Sequence, residues 1–258
     1  IALVYPESVF ESQINAKAVI ICGPFRYTYK NFNIQPKVPT FNLPLSACEK
    51  INGHFGTLIY KPERKRVKCV NFFVEFGKGP YTLVIARSDA LYGSFCASFS
   101  GFSLLMWLSL IETLNKSYQG PRRLRFSLLD CQTDNLAGAN FHVKRLPKHT
   151  LACINLQGMS FGLPKIVYKD AAGFNSKMLI EAFESHSRDF GIEPKLIALP
   201  GELPDHAPFK EQGVQTLWLN SGLSINASGY DLFDSVSWEN FWTNTELVLS
   251  FLRRMHRF

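Results

Sequence analysis

The chain has 258 residues, 46% of them hydrophobic, and a formal net charge of +7. That is apolar content enough for one large domain, or a domain plus a fragment, with its own core. The basic excess is scattered outside Lys61-Pro62-Glu63-Arg64-Lys65-Arg66 and Arg253-Arg254-Met255-His256-Arg257, with no cationic stripe interleaved with aromatics, so nucleic acid is not an expected partner.

In chain order, Ala18-Val19-Ile20-Ile21-Cys22 is a short apolar run stopped by Gly23-Pro24, as a buried strand and turn would be. Pro36 to Leu43 is extended by its prolines, and Ser46 to Ile51 suits a short helix. From residue 55 strands and helices alternate. Thr57–Tyr60, Val67–Glu75 and Tyr81–Ala86 are expected strands, the last two joined by the Gly77-Lys78-Gly79-Pro80 turn. A helix over 100–115 carries Phe102, Leu105, Met106, Leu108, Leu110 and Ile111 on a broad apolar face. Then come a strand at Leu124–Leu129, a helix over 135–145 and a near-continuously apolar strand at Leu151–Leu156. A helix over 174–190, strands at Lys195–Ala198 and Gln215–Leu219, and a last helix from about 237 complete the order. That helix turns Phe241, Leu247, Val248, Phe251 and Leu252 inward. Such alternation implies an α/β fold with a mixed, mostly parallel central sheet and helices on both faces.

Six cysteines, Cys22, Cys48, Cys69, Cys96, Cys131 and Cys153, form no C-x-x-C pair, which argues against a structural zinc site. Several lie in apolar runs, where free buried thiols are expected. The sequons Asn115-Lys116-Ser117 and Asn226-Ala227-Ser228 matter only in a secretory compartment. No apolar run reaches the roughly 18 residues of a membrane span. The chain starts at Ile1 without a methionine and is expected to be a piece of a longer or processed protein. Ser88, Ser94, Ser98 and Ser100 with His206 do not make a serine hydrolase, because Ser100-Gly101 lacks the G-x-S-x-G spacing.

Four segments carry a resemblance: Ala86-Arg87-Ser88-Asp89, Leu129-Asp130-Cys131-Gln132-Thr133, Ile154-Asn155-Leu156-Gln157 and Gly229-Tyr230-Asp231. With Pro204-Asp205-His206-Ala207-Pro208-Phe209 and the Tyr230…Asp234-Ser235 frame, they run in the order of the co-catalytic two-zinc aminopeptidases, which the chain resembles over about two hundred residues. The family's first ligand, a His two residues before an orienting Asp, stands here as Arg87, with Asp89 kept. Guanidinium has no acceptor lone pair and cannot bind zinc. The bridging Asp corresponds to Ala97, beside Cys96, and the general base Glu to Gln132, an amide with no useful basicity. The remaining ligands correspond to Thr133, Gln157 and Asp231, of which only Asp231 keeps a carboxylate.

The resemblance therefore implies a catalytically inactive, metal-ligand-deficient member, like nicastrin, nicalin and the transferrin receptor ectodomain. No zinc, no other cofactor and no catalytic residue are expected, and the domain would act in binding or complex assembly. The alternative is an active metallo-hydrolase with a non-standard site. Arg87, Asp89, His206, Tyr230 and Asp231 are the candidate cleft residues, for a protein partner or for a peptide or carboxylate ligand, with Arg87 expected to pair with Asp231 or Asp89. Residues 1–50 resemble part of a protease-associated domain through the strand, the Val38-Pro39-Thr40-Phe41-Asn42-Leu43-Pro44 stretch and the helix; 51–258 would be the aminopeptidase-like domain. Family precedent points to the secretory pathway or cell exterior.

Overall fold

The apolar runs become strands in two separate sheets in the computed structural model, which describes residues 2–4, 17–22, 40–43, 45–53, 68–89, 100–132, 135–146, 149–159, 162–200, 203–221 and 237–256. The chain divides into two compact units, Ile1–Lys68 with Ser228–Tyr230, and Cys69–Ala227 with Asp231–Phe258. In the smaller unit β1 (Ala2–Val4), β2 (Val19–Cys22) and β3 (Thr40–Leu43) pair in parallel in that order, and α1 (Leu45–Ile51) follows. Cys22 and Cys48, both fully buried, are joined in a disulfide with their Cα atoms 5.8 Å apart. That corrects the expectation of free thiols: strand and helix bring together two cysteines 26 residues apart, which spacing alone does not reveal.

The larger unit contains β4 (Phe72–Phe76), β5 (Tyr81–Arg87), β6 (Arg123–Leu129), β7 (Thr150–Leu156), β8 (Lys165–Asp170), β9 (Gly173–Phe174), β10 (Lys195–Leu199) and β11 (Gln215–Asn220). Their order is β10-β8-β11-β7-β5-β6-β4, with β9 paired to β8. The central pairs β6–β5, β5–β7 and β7–β11 are parallel; β4 and β8 enter antiparallel to β6 and β11. The expected strand at Val67–Glu75 begins only at Phe72, because residues 69–71 are tied to the turn after β6. Thr57–Tyr60 lies outside the described residues.

Side chains alternate across β5 as a pleated strand requires. Val84 and Ala86 pack with α2 (Phe102–Ser117), α4 (Lys177–Asp189) and α6 (Trp238–His256), whereas Leu83 and Ile85 pack with α3 (Ala137–Val143) and α5 (Ala207–Glu211). Helices therefore cover both faces. The first side is aromatic: Phe102–Phe241 and Phe183–Phe251 meet edge to face at 5.2 and 5.0 Å. Each such buried ring contributes on the order of 1.5–3 kcal/mol by burial. Helix α6 buries all five residues expected to face inward. On α2 Phe102, Met106 and Leu110 are buried as expected and Leu105 and Ile111 pack against the core, but Leu108 is half-exposed while Trp107 and Leu114 are buried instead. α4 starts at Lys177 because the Ser176 side chain caps it, accepting from Leu179 N at 3.4 Å. β8, β9 and α5 were not expected. Among the described residues no helix is long and apolar enough to cross a membrane.

Candidate functional site

Parity along β5 places Arg87 on the same face as Leu83 and Ile85, at the C-terminal end of the strand, where open α/β sheets carry their sites. Arg87 is 7% exposed, and its guanidinium forks onto the fully buried Asp205: Nε donates to Oδ2 at 3.0 Å and Nη2 donates to Oδ1. Asp205 precedes α5, so a loop from across the sheet supplies the anion. Asp205 is a partner that sequence reasoning did not name, delivered over the end of β5 by the β10–α5 connection; of the carboxylates it did name, Asp231 lies outside the described residues. Asp89 is half-buried, with its carbonyl accepting from Ser100 Oγ at 3.0 Å.

His206, beside Asp205, has no exposed surface. Nε2 lies 3.1 Å from Asp170 Oδ2, and Nδ1 lies 3.1 Å from Asn155 Nδ2. Burial pulls its pKa below the ordinary value, against the favourable Asp170 contact, so the ring is neutral at pH 7. With an amide N–H facing Nδ1, the proton sits on Nε2 and is donated to Asp170. Burial pushes the Asp170 carboxyl upward, but donors outweigh it: the His206 hydrogen bond, the Lys210 charge and Ala172 N together bring it below the usual carboxylate value. Asn175 Nδ2 also donates to Asp170 Oδ2 at 2.9 Å, and Thr216 Oγ1 donates to Asn175 Oδ1 at 2.7 Å. Sequence reasoning missed Asp170. The Asp170-Ala171-Ala172-Gly173 turn, with Gly173 at φ 101°, was the available sign of a hairpin there.

Gln157 follows β7 and is 2% exposed; its Oε1 accepts from Asn155 Nδ2 at 3.1 Å. Gln132, after β6, is 3% exposed, and its Oε1 accepts from Ala139 N at 3.3 Å. Its Nε2 and the Asn155 Oδ1 are buried without a hydrogen-bond partner among the described residues. Cys153, on β7, is a buried free thiol whose pKa is raised by burial first and by the Asp205 charge second, so it is no nucleophile. Ala97, Thr133, Tyr230 and Asp231 lie outside the described residues, as does Cys96.

The turn from β6 into α3 is held differently. Cys131, half-buried, is disulfide-bonded to Cys69, a pairing that the spacing of the six cysteines left open. Asn71 accepts from Asp130 N at 2.9 Å and donates to Gly138 O at 2.8 Å. Cys131, Asn135 and Leu136 have positive φ, between 50° and 55°. A Cβ on Gly138 would lie 2.0 Å from Asp130 O, so only glycine fits. At the opposite end of the sheet, a cavity of about 390 Å³ is lined by Gly79, Pro80, Tyr81, Arg123 and His149.

This arrangement of strands is shared with solved peptidases. The zinc aminopeptidase BSAP from Bacillus subtilis superposes with a TM-score of 0.72 at 17% identity, over 93% of this chain and 64% of that one. The aminopeptidase from Aneurinibacillus sp. strain AM-1 gives 0.65 at 15% identity, over 93% and 63%. A glutaminyl cyclase from an Acidobacteriales bacterium gives 0.63 at 15%, over 73% and 74%. At these identities the likeness is one of fold. The chain spans less than two thirds of the length of either aminopeptidase. No curated protein sequence matches it. The model of peptidase family M28 matches residues 77–252 of the 258. Strand order, helix placement and that match over more than half its length agree: the chain belongs to peptidase family M28.

Proposed function

We propose that this chain is a peptidase-like domain without peptidase activity, retained for binding or complex assembly. The observation that carries the reading is the Arg87–Asp205 ion pair at the end of β5. A guanidinium, which has no lone pair to offer a metal, stands where the family resemblance calls for a zinc ligand, and a buried carboxylate neutralises it. Around it the donor chemistry suits a two-zinc centre poorly. Gln157 Oε1 already accepts from Asn155, and Gln132 offers an amide where a base is needed. No hydrolytic step is routed through these residues. Asp231, Thr133 and Ala97 complete the set of altered positions in this reading. The division into a protease-associated-like segment over 1–50 and an aminopeptidase-like domain over 51–258 belongs to it as well.

His206 supports the same conclusion, because both ring nitrogens are engaged inside the protein and the residue acts as a brace. A ligand of the domain, a partner protein or a peptide end, would therefore meet the rim of this mesh and not its interior. The test is metal analysis of purified protein together with hydrolysis of an aminoacyl-anilide panel. The expected result is substoichiometric zinc and no turnover above buffer. Stoichiometric zinc accompanied by turnover would replace the reading with that of an active hydrolase carrying a non-standard site.

A further inference from the structure

The turn after β6 brings together three groups that the functional reading does not use. The Sγ atoms of Cys69 and Cys131 and a carboxylate oxygen of Asp130 all lie within 4.8 Å of one another. In the oxidised chain the two sulfurs are bonded to each other and hold no metal. Their surroundings differ from those of the other disulfide. Cys69 is exposed and Cys131 half-buried, whereas Cys22 and Cys48 have no exposed surface. A thiolate reductant reaches the first pair and is shielded from the second.

We propose that Cys69, Cys131 and Asp130 form a redox-gated site for a thiophilic divalent cation such as Zn2+: a disulfide staple when oxidised, a three-ligand metal site when reduced. The balance is simple. A dithiol reductant gives two electrons and two protons, becoming a disulfide, and the Cys69–Cys131 bond becomes two thiols. The cation then binds both sulfurs as thiolates, and the two thiol protons pass to solvent.

Three features of the turn preorganise the reduced state. First, the Asp130 carboxylate is already aimed: Oδ2 accepts from Val70 N at 2.9 Å and Oδ1 from Cys131 N at 2.8 Å, the outer-sphere support that ligating carboxylates need. Second, Asn71 fixes the backbone of Asp130 by a hydrogen bond independent of the disulfide, so the segment keeps its place when the sulfurs separate. Third, the Cα atoms are 6.1 Å apart. Tetrahedral zinc with Zn–S bonds of about 2.3 Å needs its sulfurs about 3.8 Å apart, which side-chain rotation at that Cα separation supplies. Two thiolates and one carboxylate leave a fourth position on the exposed Cys69 side for water or an incoming ligand. Two soft ligands select zinc, or cobalt as its reporter, over magnesium and calcium. None of this depends on whether the domain is catalytically inactive.

The experiment uses the full chain and Co2+ as probe. The protein is reduced with a phosphine, which is oxidised to its oxide by oxygen from water, and exchanged anaerobically into reductant-free buffer. Addition of one equivalent of Co2+ is expected to give a near-ultraviolet thiolate-to-cobalt charge-transfer band with tetrahedral visible absorption, and Zn2+ to bleach both. The unreduced chain should show neither. Cys69→Ser should abolish the charge-transfer band of the pair, and Asp130→Asn should weaken Co2+ binding by about tenfold or more. Retention of the full band in Cys69→Ser overturns the proposal, since another cysteine is then the ligand. Its absence from reduced wild-type protein overturns it too, as does loss of the near-ultraviolet circular dichroism on reduction, because the site requires the folded turn.

Discussion

At the ends of β5 and β7, Arg87, Asp205, His206, Asn155 and Asp170 hold one another through charge-assisted and amide hydrogen bonds with water excluded. One strand over, at the end of β6, the turn into α3 is held by a disulfide, two Asn71 hydrogen bonds and a glycine with no room for a Cβ. The first region is stabilised by complementary side-chain chemistry and the second by constraint of the backbone. The difference teaches where each is fragile. A mesh of buried polar groups fails when one partner is deleted, because the rest are left in a medium that cannot solvate them. A constrained turn tolerates changes of polarity but not of shape.

The largest expected effect is on the mesh. Asp205→Ala removes the carboxylate onto which Arg87 forks and should cost about 3–5 kcal/mol in urea unfolding. Replacing both residues, as Arg87→Met with Asp205→Leu, should recover most of that loss; a single substitution costing under about 1 kcal/mol would show that Asp205 is not what stabilises Arg87. Next comes the turn. Gly138→Ala should cost about 1–3 kcal/mol, since the obstacle is the Asp130 carbonyl and not a flexible side chain. Gly162→Ala, where the nearest atom is 3.6 Å away, serves as its near-neutral control.

Acid gives the smallest effect per group and acts mainly outside the turn. His206 is held below its ordinary pKa by burial, and burial followed by an arginine charge holds His142 and His256 down to about 4 from 6.5. Because these folded-state values are depressed, the unfolded chain takes up protons first as the pH falls. Stability should therefore fall as pH drops through 6.5 toward 4, by about 1 kcal/mol for each of His142 and His256 between roughly pH 7.5 and 5.5, with His206 adding in the same direction. Urea midpoints across that window read it out, and a midpoint that rises on acidification would contradict the assignment of neutral buried imidazoles.

Much of the larger unit was legible because its central strands are short apolar runs bounded by Gly, Pro and polar turns, and α6 is strongly amphipathic. β5, β6, β7 and β11 fall within a residue or so of where pattern reading puts them. Arg87 and Gln132 stand out in the sequence because the frames around them persist. Two things were not legible. β8 reads Lys-Ile-Val-Tyr-Lys-Asp, four of its six residues charged or aromatic, and it pairs antiparallel with β11 in an otherwise mostly parallel sheet. Losing β8 meant losing Asp170, and with it the partner of His206. The disulfides were hidden for another reason: Cys69 and Cys131 are 62 residues apart, and pairing at that distance is a property of the sheet, not of spacing. The exchange of Leu108 for Trp107 and Leu114 on α2 follows from a helix apolar on most sides, where periodicity says little about which residue faces in.

The antiparallel entry of β8 also bears on how the sheet is assembled in time. β8 and β9 can close as a local hairpin through Lys169–Phe174 and Asp170–Gly173 almost as soon as they are made. Docking that hairpin onto the sheet must wait, because its inner neighbour β11 lies some fifty residues further along the chain. β11 has first to find β7 across a comparable stretch. Loop closure on that scale is entropically slow relative to local pairing. The strand carrying the carboxylate that braces His206 is thus expected to join the core late, with the His206–Asp170 contact forming after the β8–β9 hairpin.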